Sequence, residues 1–314
     1  MDSAQLGELS RSLVAGAVLA YIVGWLAYSA ELAIRSRLRK AAPQLVVARA
    51  DVAAEEVPDS PAAAAEVERA ERMARIGLSV TLLATILLAG GVLLRTLAVE
   101  RAPWGNMYEF SITGSLVASV VFVAAARTKA GRAAAAWLVL LLIVTLGLAV
   151  SVLYVPPGPL VPALQSYWLV LHVGLAVIAF GLFTVAAVVS ALQIVAERRE
   201  RQGRVTTLPA PGMLDRLAHR LIAVAFPVWT VGPLILGAVW AEVSWGRYWG
   251  WDPKEVWALI TWLVYAAYLH ARATAGWKGA KASVVSLIGY ATVLFSYFAV
   301  NILFDGLHSY GGVG

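Results

Sequence analysis

The chain has no cysteine, only four histidines, and few charges: 14% of its 314 residues, where soluble domains carry roughly 25%. Without cysteine there is no disulfide scaffold, no thiolate zinc site and no cysteine nucleophile. A chain that is 60% hydrophobic, with a mean hydropathy of +0.75, is too apolar to stay disordered. What it has in excess is tryptophan, twelve in all. Its net charge of +6 could mark a nucleic-acid partner, but in a membrane protein a basic surplus belongs to the inner loops. The composition therefore points to a polytopic membrane protein with no nucleic-acid partner.

Eight stretches approach the roughly 20 apolar residues that a spanning helix needs. They are 12–33, 76–98, 109–126, 133–154, 167–195, 219–241, 254–272 and 283–304. The expected fold is all-α, with eight transmembrane helices. The loops between them alternate in charge. Twenty of the twenty-five Lys and Arg residues fall in 34–75, 127–132, 196–220 and 272–282. The other five, Arg11, Arg95, Arg101, Arg247 and Lys254, fall on the opposite side. Positive loops stay in the cytoplasm, so both termini are expected outside. The expected organisation is a first transmembrane helix in 1–33, a cytoplasmic linker at 34–75 and a seven-helix core at 76–314. The linker is Ala-rich with mixed charge and carries no evident chemistry. No internal repeat is visible, which leaves an inverted-repeat transporter without sequence support.

The outside loop at 240–257 is the most informative segment. Six tryptophans fall between Trp240 and Trp262. An interfacial aromatic belt explains one or two of them. It does not explain this density, nor the glycines interleaved with the rings. Such glycines let flat rings pack into a shallow bowl suited to a large, planar, apolar ligand. Arg247 and Lys254 would meet carboxylates on its rim. Asp252 before Pro253 makes an N-cap and first helical residue for the next span. Asp252 and Glu242 are the nearest carboxylates, and no acid–base constellation is visible.

Histidines at a membrane are functional candidates. His172 lies near the start of the fifth stretch and His308 just after the eighth, both on the side of the tryptophan loop. Neutral imidazole is a good iron ligand, and two can fill both axial positions of a haem. Each alone could equally be a satisfied polar residue. His270 lies sixteen residues after Lys254, about 24 Å down a helix, near the inner end. His219, in a basic context on that inner side, reads as an interface residue. The 99–110 loop, with Pro103, Gly105 and Asn106, reads as an ordered turn that could wall the bowl.

The segment Trp245-Gly246-Arg247-Tyr248-Trp249-Gly250-Trp251-Asp252-Pro253-Lys254-Glu255-Val256-Trp257 resembles the tryptophan-rich "WWD" motif of haem-handling proteins. The subfamily it most resembles is the CcsA/ResC type of cytochrome c biogenesis protein, of System II. The resemblance spans roughly 76–310. It includes Pro103 to Glu109, Ser166 to Val173, Gly237 to Glu242 and Asn301 to Tyr310. It implies a protein that takes haem b from the cytoplasmic side and presents it outside. There the haem is joined through its vinyl groups to the thiols of a Cys-x-x-Cys-His apocytochrome c. It implies the catalytic subunit of a holocytochrome c synthase, with a ResB/CcsB-type membrane partner and separate thiol-reducing proteins. The membrane would be a bacterial plasma (inner) membrane or a thylakoid. By match of motif, His172 and His308 would be the outer axial ligands and His270 the histidine of an inner site. Trp245, Trp249, Trp251, Asp252 and Trp257 would line the haem site, with Asn106, Tyr108, Glu109, Arg247 and Glu242 as further candidates. Two other readings stand beside this one. A haem exporter of the CcmC kind would load a chaperone without making the bond, and resembles proteins of about six spans. A non-haem membrane transporter would use the tryptophans only as a belt.

Overall fold

The structure is a computed structural model that describes residues 1–49, 61–159, 164–204 and 206–308. Among these residues all regular structure is helical. Helix α1 (Ser3–Arg49) and helix α2 (Pro61–Val99) form a long antiparallel hairpin. Both run well past the predicted apolar stretches. The expected linker is therefore helical on either side of 50–60, and 50–60 lie outside the described residues. The reason is local. Alanine is the best helix former, and charged pairs one turn apart add support. Glu31 pairs with Arg35 at 2.8 Å, and Glu66 with Arg69 at 2.9 Å. Arg35 also reaches Glu71 across the hairpin at 2.8 Å.

After α3 (Met107–Ala125) comes the short α4 (Lys129–Ala133), then α5 (Ala135–Ser151) and the long α6 (Tyr167–Arg201). Helix α7 (Pro211–Trp229) passes through a π-helical segment (Thr230–Leu236) into α8 (Gly237–Trp245). Helix α9 (Pro253–Thr274) follows, then α10 (Ala280–Leu294). A second π-helical segment (Phe295–Ala299) leads into α11 (Val300–Leu303). Six of these runs are long and apolar enough to cross a membrane: Ser3–Arg39, Pro61–Val99, Met107–Ala125, Tyr167–Arg201, Pro211–Trp245 and Ala280–Leu303. The chain is an all-α polytopic membrane protein. The other two predicted stretches also fall on helices. Helix α5 is apolar but only 17 residues long. Helix α9 has 22 residues, and Lys254 and Glu255 at its start with His270 and Arg272 near its end shorten its apolar run.

One core gathers α1, α2, α3 and α5 around the fully buried Tyr21, Leu88, Phe122 and Leu146. A second gathers α6, α7, α9 and α10 around Phe183, Ile222 and Tyr265. The rings of Phe183 and Tyr265 stack at 3.9 Å. Helix α6 packs on both α3 and α7 and joins the two groups. Lipid gives helices little hydrophobic reason to associate, so packing and interhelical hydrogen bonds matter more. Tyr21 donates to Ser119 at 2.8 Å, Ser190 to Ser286 at 3.0 Å, and Thr261 meets Thr292 at 2.9 Å.

The ends of the second group are locked differently. At one end Arg272 of α9 makes a bidentate pair with Asp215 of α7, at 2.8 and 3.0 Å. Glu197 of α6 there accepts the Ala280 N–H at 2.7 Å. The opposite end carries the tryptophan loop.

Candidate functional site

Helix α8 ends at Gly246, whose φ of +71° is the left-handed conformation that suits glycine. The chain then turns back to start α9 at Pro253. A reciprocal capping box fixes that start. Asp252 caps the helix, while the Glu255 carboxylate accepts from the Asp252 and Gly250 N–H groups at 3.0 and 2.8 Å. The six residues from Arg247 to Asp252 are thereby tied to a helix end.

Behind this loop lies a cavity that opens to the surface. Its walls are aromatic: Trp104, Phe110, Trp240, Trp245, Trp249 and Tyr297. Its polar lining includes His172, His308, Asn106, Lys254 and Glu255. Helix α6 presents His172, whose Nδ1 donates to the Gly232 carbonyl at 3.0 Å. Gly232 belongs to the first π-helical segment, a widened turn of a kind common at functional sites. The close approach needs glycine: a Cβ on Gly232 would lie 2.5 Å from Leu175 Cβ, and one on Gly237 2.9 Å from His172 Cε1. The His172 ring lies parallel to Trp240 at 5.8 Å.

His308 reaches the cavity from the chain beyond α11. Asp252 holds its Nδ1 at 3.0 and 3.2 Å and also accepts the Leu307 N–H at 3.2 Å. Trp240 and Trp245 flank its ring at 5.4 and 5.0 Å. Burial alone would raise the Asp252 carboxyl, but the hydrogen bonds from His308 and the backbone outweigh it and hold it below its ordinary value. Burial pushes the His308 imidazole down, against the pull of Asp252. A carbonyl and a carboxylate can only accept, so both histidines carry their proton on Nδ1. In a neutral imidazole that leaves Nε2 with its lone pair.

The other predicted residues divide. Trp245, Trp249 and Asn106 line the cavity with the two histidines. Asp252 stands behind His308. Trp257 packs on Phe295 at 4.0 Å, off the cavity wall. Trp251 is 69% exposed with a φ of +60°, and its ring meets Trp249 edge-on at 5.8 Å. Arg247 lies over the Trp245 ring at 6.0 Å and 3.6 Å from Glu255. Glu242 contributes its carbonyl to the Gly246 cap. Tyr108 and Glu109 are fully buried away from the cavity. Glu109 pairs with Arg95 at 2.9 Å and Arg101 at 2.7 Å and accepts the Gly105 N–H at 2.8 Å. It therefore anchors the turn that carries Trp104. His270 is exposed on α9, well apart from the cavity, and His219 lies 6.1 Å from the Tyr268 ring. Sequence reasoning placed Trp104 and Phe110 only in a loop that could wall the bowl and Trp240 only in the tryptophan loop, and it assigned no role to Tyr297 or Asn301, which also line the cavity. Helical periodicity carries a signal for Trp240: Gly237, Trp240, Ala241 and Trp245 share one face of α8, and all line the cavity.

Residues 104–308 match the family described as cytochrome C assembly protein. The chain belongs to that family. Its relatives include a cytochrome c biogenesis protein CcsA from Gloeobacter violaceus, 32% identical over 79% of this chain and 90% of that protein. The CcsA of Chlamydomonas reinhardtii is 44% identical over 49% of this chain and 43% of that protein. The CcsA of a Synechococcus strain is 42% identical over 49% of this chain and 59% of that protein. The chain thus spans about half the length of the latter two relatives. It is a cytochrome c biogenesis protein of the CcsA type. A solved structure titled "Cytochrome c Heme Lyase CcmF" shares the fold of this CcsA-type chain, with a TM-score of 0.64 at 17% identity. That likeness covers 98% of this chain and 48% of the other.

Proposed function

We propose that the chain binds haem b in the tryptophan cavity, with His172 and His308 as its axial ligands, and supports its attachment to apocytochrome c. The observation that carries this reading is the pair of cavity-lining histidines whose Nδ1 atoms are both engaged, at 3.0 Å from Gly232 O and 3.0 Å from Asp252. An acceptor that takes the Nδ1 proton in a hydrogen bond orients a ligating imidazole and raises its basicity. Two imidazoles suit an iron that already carries four porphyrin nitrogens. The aromatic walls suit the porphyrin faces, and Lys254 supplies a cation for a propionate.

The chain's residues would act mainly by holding and orienting. In the attachment step a cysteine thiol adds across a haem vinyl group. A carbon–sulfur bond forms, the thiol proton passes to the neighbouring vinyl carbon, and no oxidant or reductant is consumed. The thiols must arrive reduced, which separate thiol-reducing proteins would secure. The substrate's own histidine then displaces one of the two axial imidazoles.

In this reading all eight apolar helices span the membrane, α5 and α9 included. Both termini and the tryptophan loop face outward, in a bacterial plasma membrane or thylakoid. The distribution of Lys and Arg supports that orientation. Haem enters from the cytoplasmic side past His270, whose second ligand comes from a ResB/CcsB-type partner. The test is co-expression of the chain and that partner with a Cys-x-x-Cys-His substrate. Haem that stays on the substrate after denaturation supports attachment. Haem passed on without a bond would instead make the chain a loader.

A further inference from the structure

The two histidines of the cavity are mounted on different kinds of structure. His172 sits inside α6, with helix on both sides, its Nδ1 on Gly232 O and its ring parallel to Trp240. Gly237 lies against its Cε1, so the ring has little room to swing. His308 lies five residues beyond Leu303, where α11 ends, on a stretch without regular structure. Its polar attachment is one carboxylate, that of Asp252, which also holds the neighbouring Leu307 N–H. The approach is tight: a Cβ on Gly306 would lie 2.9 Å from Asp252 Oδ2. Asp252 is itself fixed, because it begins α9 through the capping box with Glu255.

We propose that His308 is the exchangeable axial ligand and that Asp252 is a positioning residue that latches it. The incoming substrate histidine takes the place of His308, while His172 stays on the iron throughout. In the exchange one iron–nitrogen bond breaks and another forms. Exchange of one imidazole for another leaves the iron's oxidation state unchanged, so no electron is needed. The strength of the Asp252–His308 contact sets how readily the site opens. This inference rests on the proposed haem site.

The test uses the full chain with its partner subunit, haem-loaded, reduced and mixed with carbon monoxide. Carbon monoxide binds the iron only at a position an imidazole has left. The infrared C–O stretch of the wild-type adduct is expected to match that of His308→Ala and to differ from that of His172→Ala. Asp252→Asn replaces a charge-assisted hydrogen bond by a neutral one, and the binding rate is expected to rise roughly tenfold. Gly306→Ala keeps the carboxylate but crowds it, and a several-fold rise is expected there too. An adduct that matches His172→Ala, or rates unchanged in both variants, would overturn the latch while leaving the haem site intact. Wild-type protein that takes up no haem would overturn both.

Discussion

His172 lies parallel to Trp240, with 7° between their planes, and the same indole touches His308 at 5.4 Å. One buried ring, 1% exposed, thus spaces both candidate ligands. Trp240→Ala is expected to cost about 3–5 kcal/mol of stability, as for other large buried aromatics. It is also expected to lower the haem recovered per protein. Trp240→Phe should retain most of both. Thermal unfolding in detergent and haem quantification on the same samples check this.

Glu109 is a structural anchor outside the cavity lining. Arg95 and Glu109 are both fully buried. Removing one partner of a buried pair strands the other charge, at a cost of about 3–5 kcal/mol. Glu109→Ala is therefore expected to lower the unfolding temperature sharply. Glu109→Gln, which can still accept the Gly105 N–H, should lower it less. Haem-binding protein that survives in either variant should keep the wild-type Soret position.

The two neighbouring tryptophans of the loop should behave oppositely. Trp249 lines the cavity, while Trp251 is 69% exposed. Trp249→Ala is expected to reduce haem retention several-fold, and Trp251→Ala to leave it unchanged. A left-handed conformation costs a non-glycine residue on the order of 1 kcal/mol. Trp251→Gly should therefore not lower stability. Equal haem loss in Trp249→Ala and Trp251→Ala would contradict the placement of these rings.

The difference between Trp249 and Trp251 marks where the sequence stops being legible. Both belong to one motif, but a positive φ at Trp251 separates their surroundings, and composition does not reveal a dihedral angle. The cap at Asp252 was legible, because an acidic residue before proline is a local signal, while the reciprocal bond from Glu255 appears only in the structure. Its grip on His308 was not, since the two lie 56 residues apart in sequence. The apolar stretches located the helices of the bundle. They missed the extensions of α1 and α2 because helix propensity continues in Ala, Glu and Arg after apolarity ends. Glu109 lay in a recognisable segment, but only packing separates a buried anchor from a cavity wall.

His270 and the cavity are served by different parts of the protein. It sits exposed on α9, on the far side of Tyr265 and Tyr268 from the tryptophan loop. If haem passes His270 before it reaches the cavity, His270→Ala should lower the haem carried by protein made in cells. The same variant should bind haem added after purification as the wild type does. Haem content of purified protein before and after reconstitution separates the two steps.

The most direct measurement is the absorption spectrum of the purified chain with its partner, beside that of the His172→Ala/His308→Ala double variant. A six-coordinate, bis-imidazole Soret band and sharp reduced α and β bands are expected in the wild type. Their loss from the outer site is expected in the double variant. A wild-type protein that binds no haem, or an unchanged spectrum in the double variant, would contradict the proposed haem site.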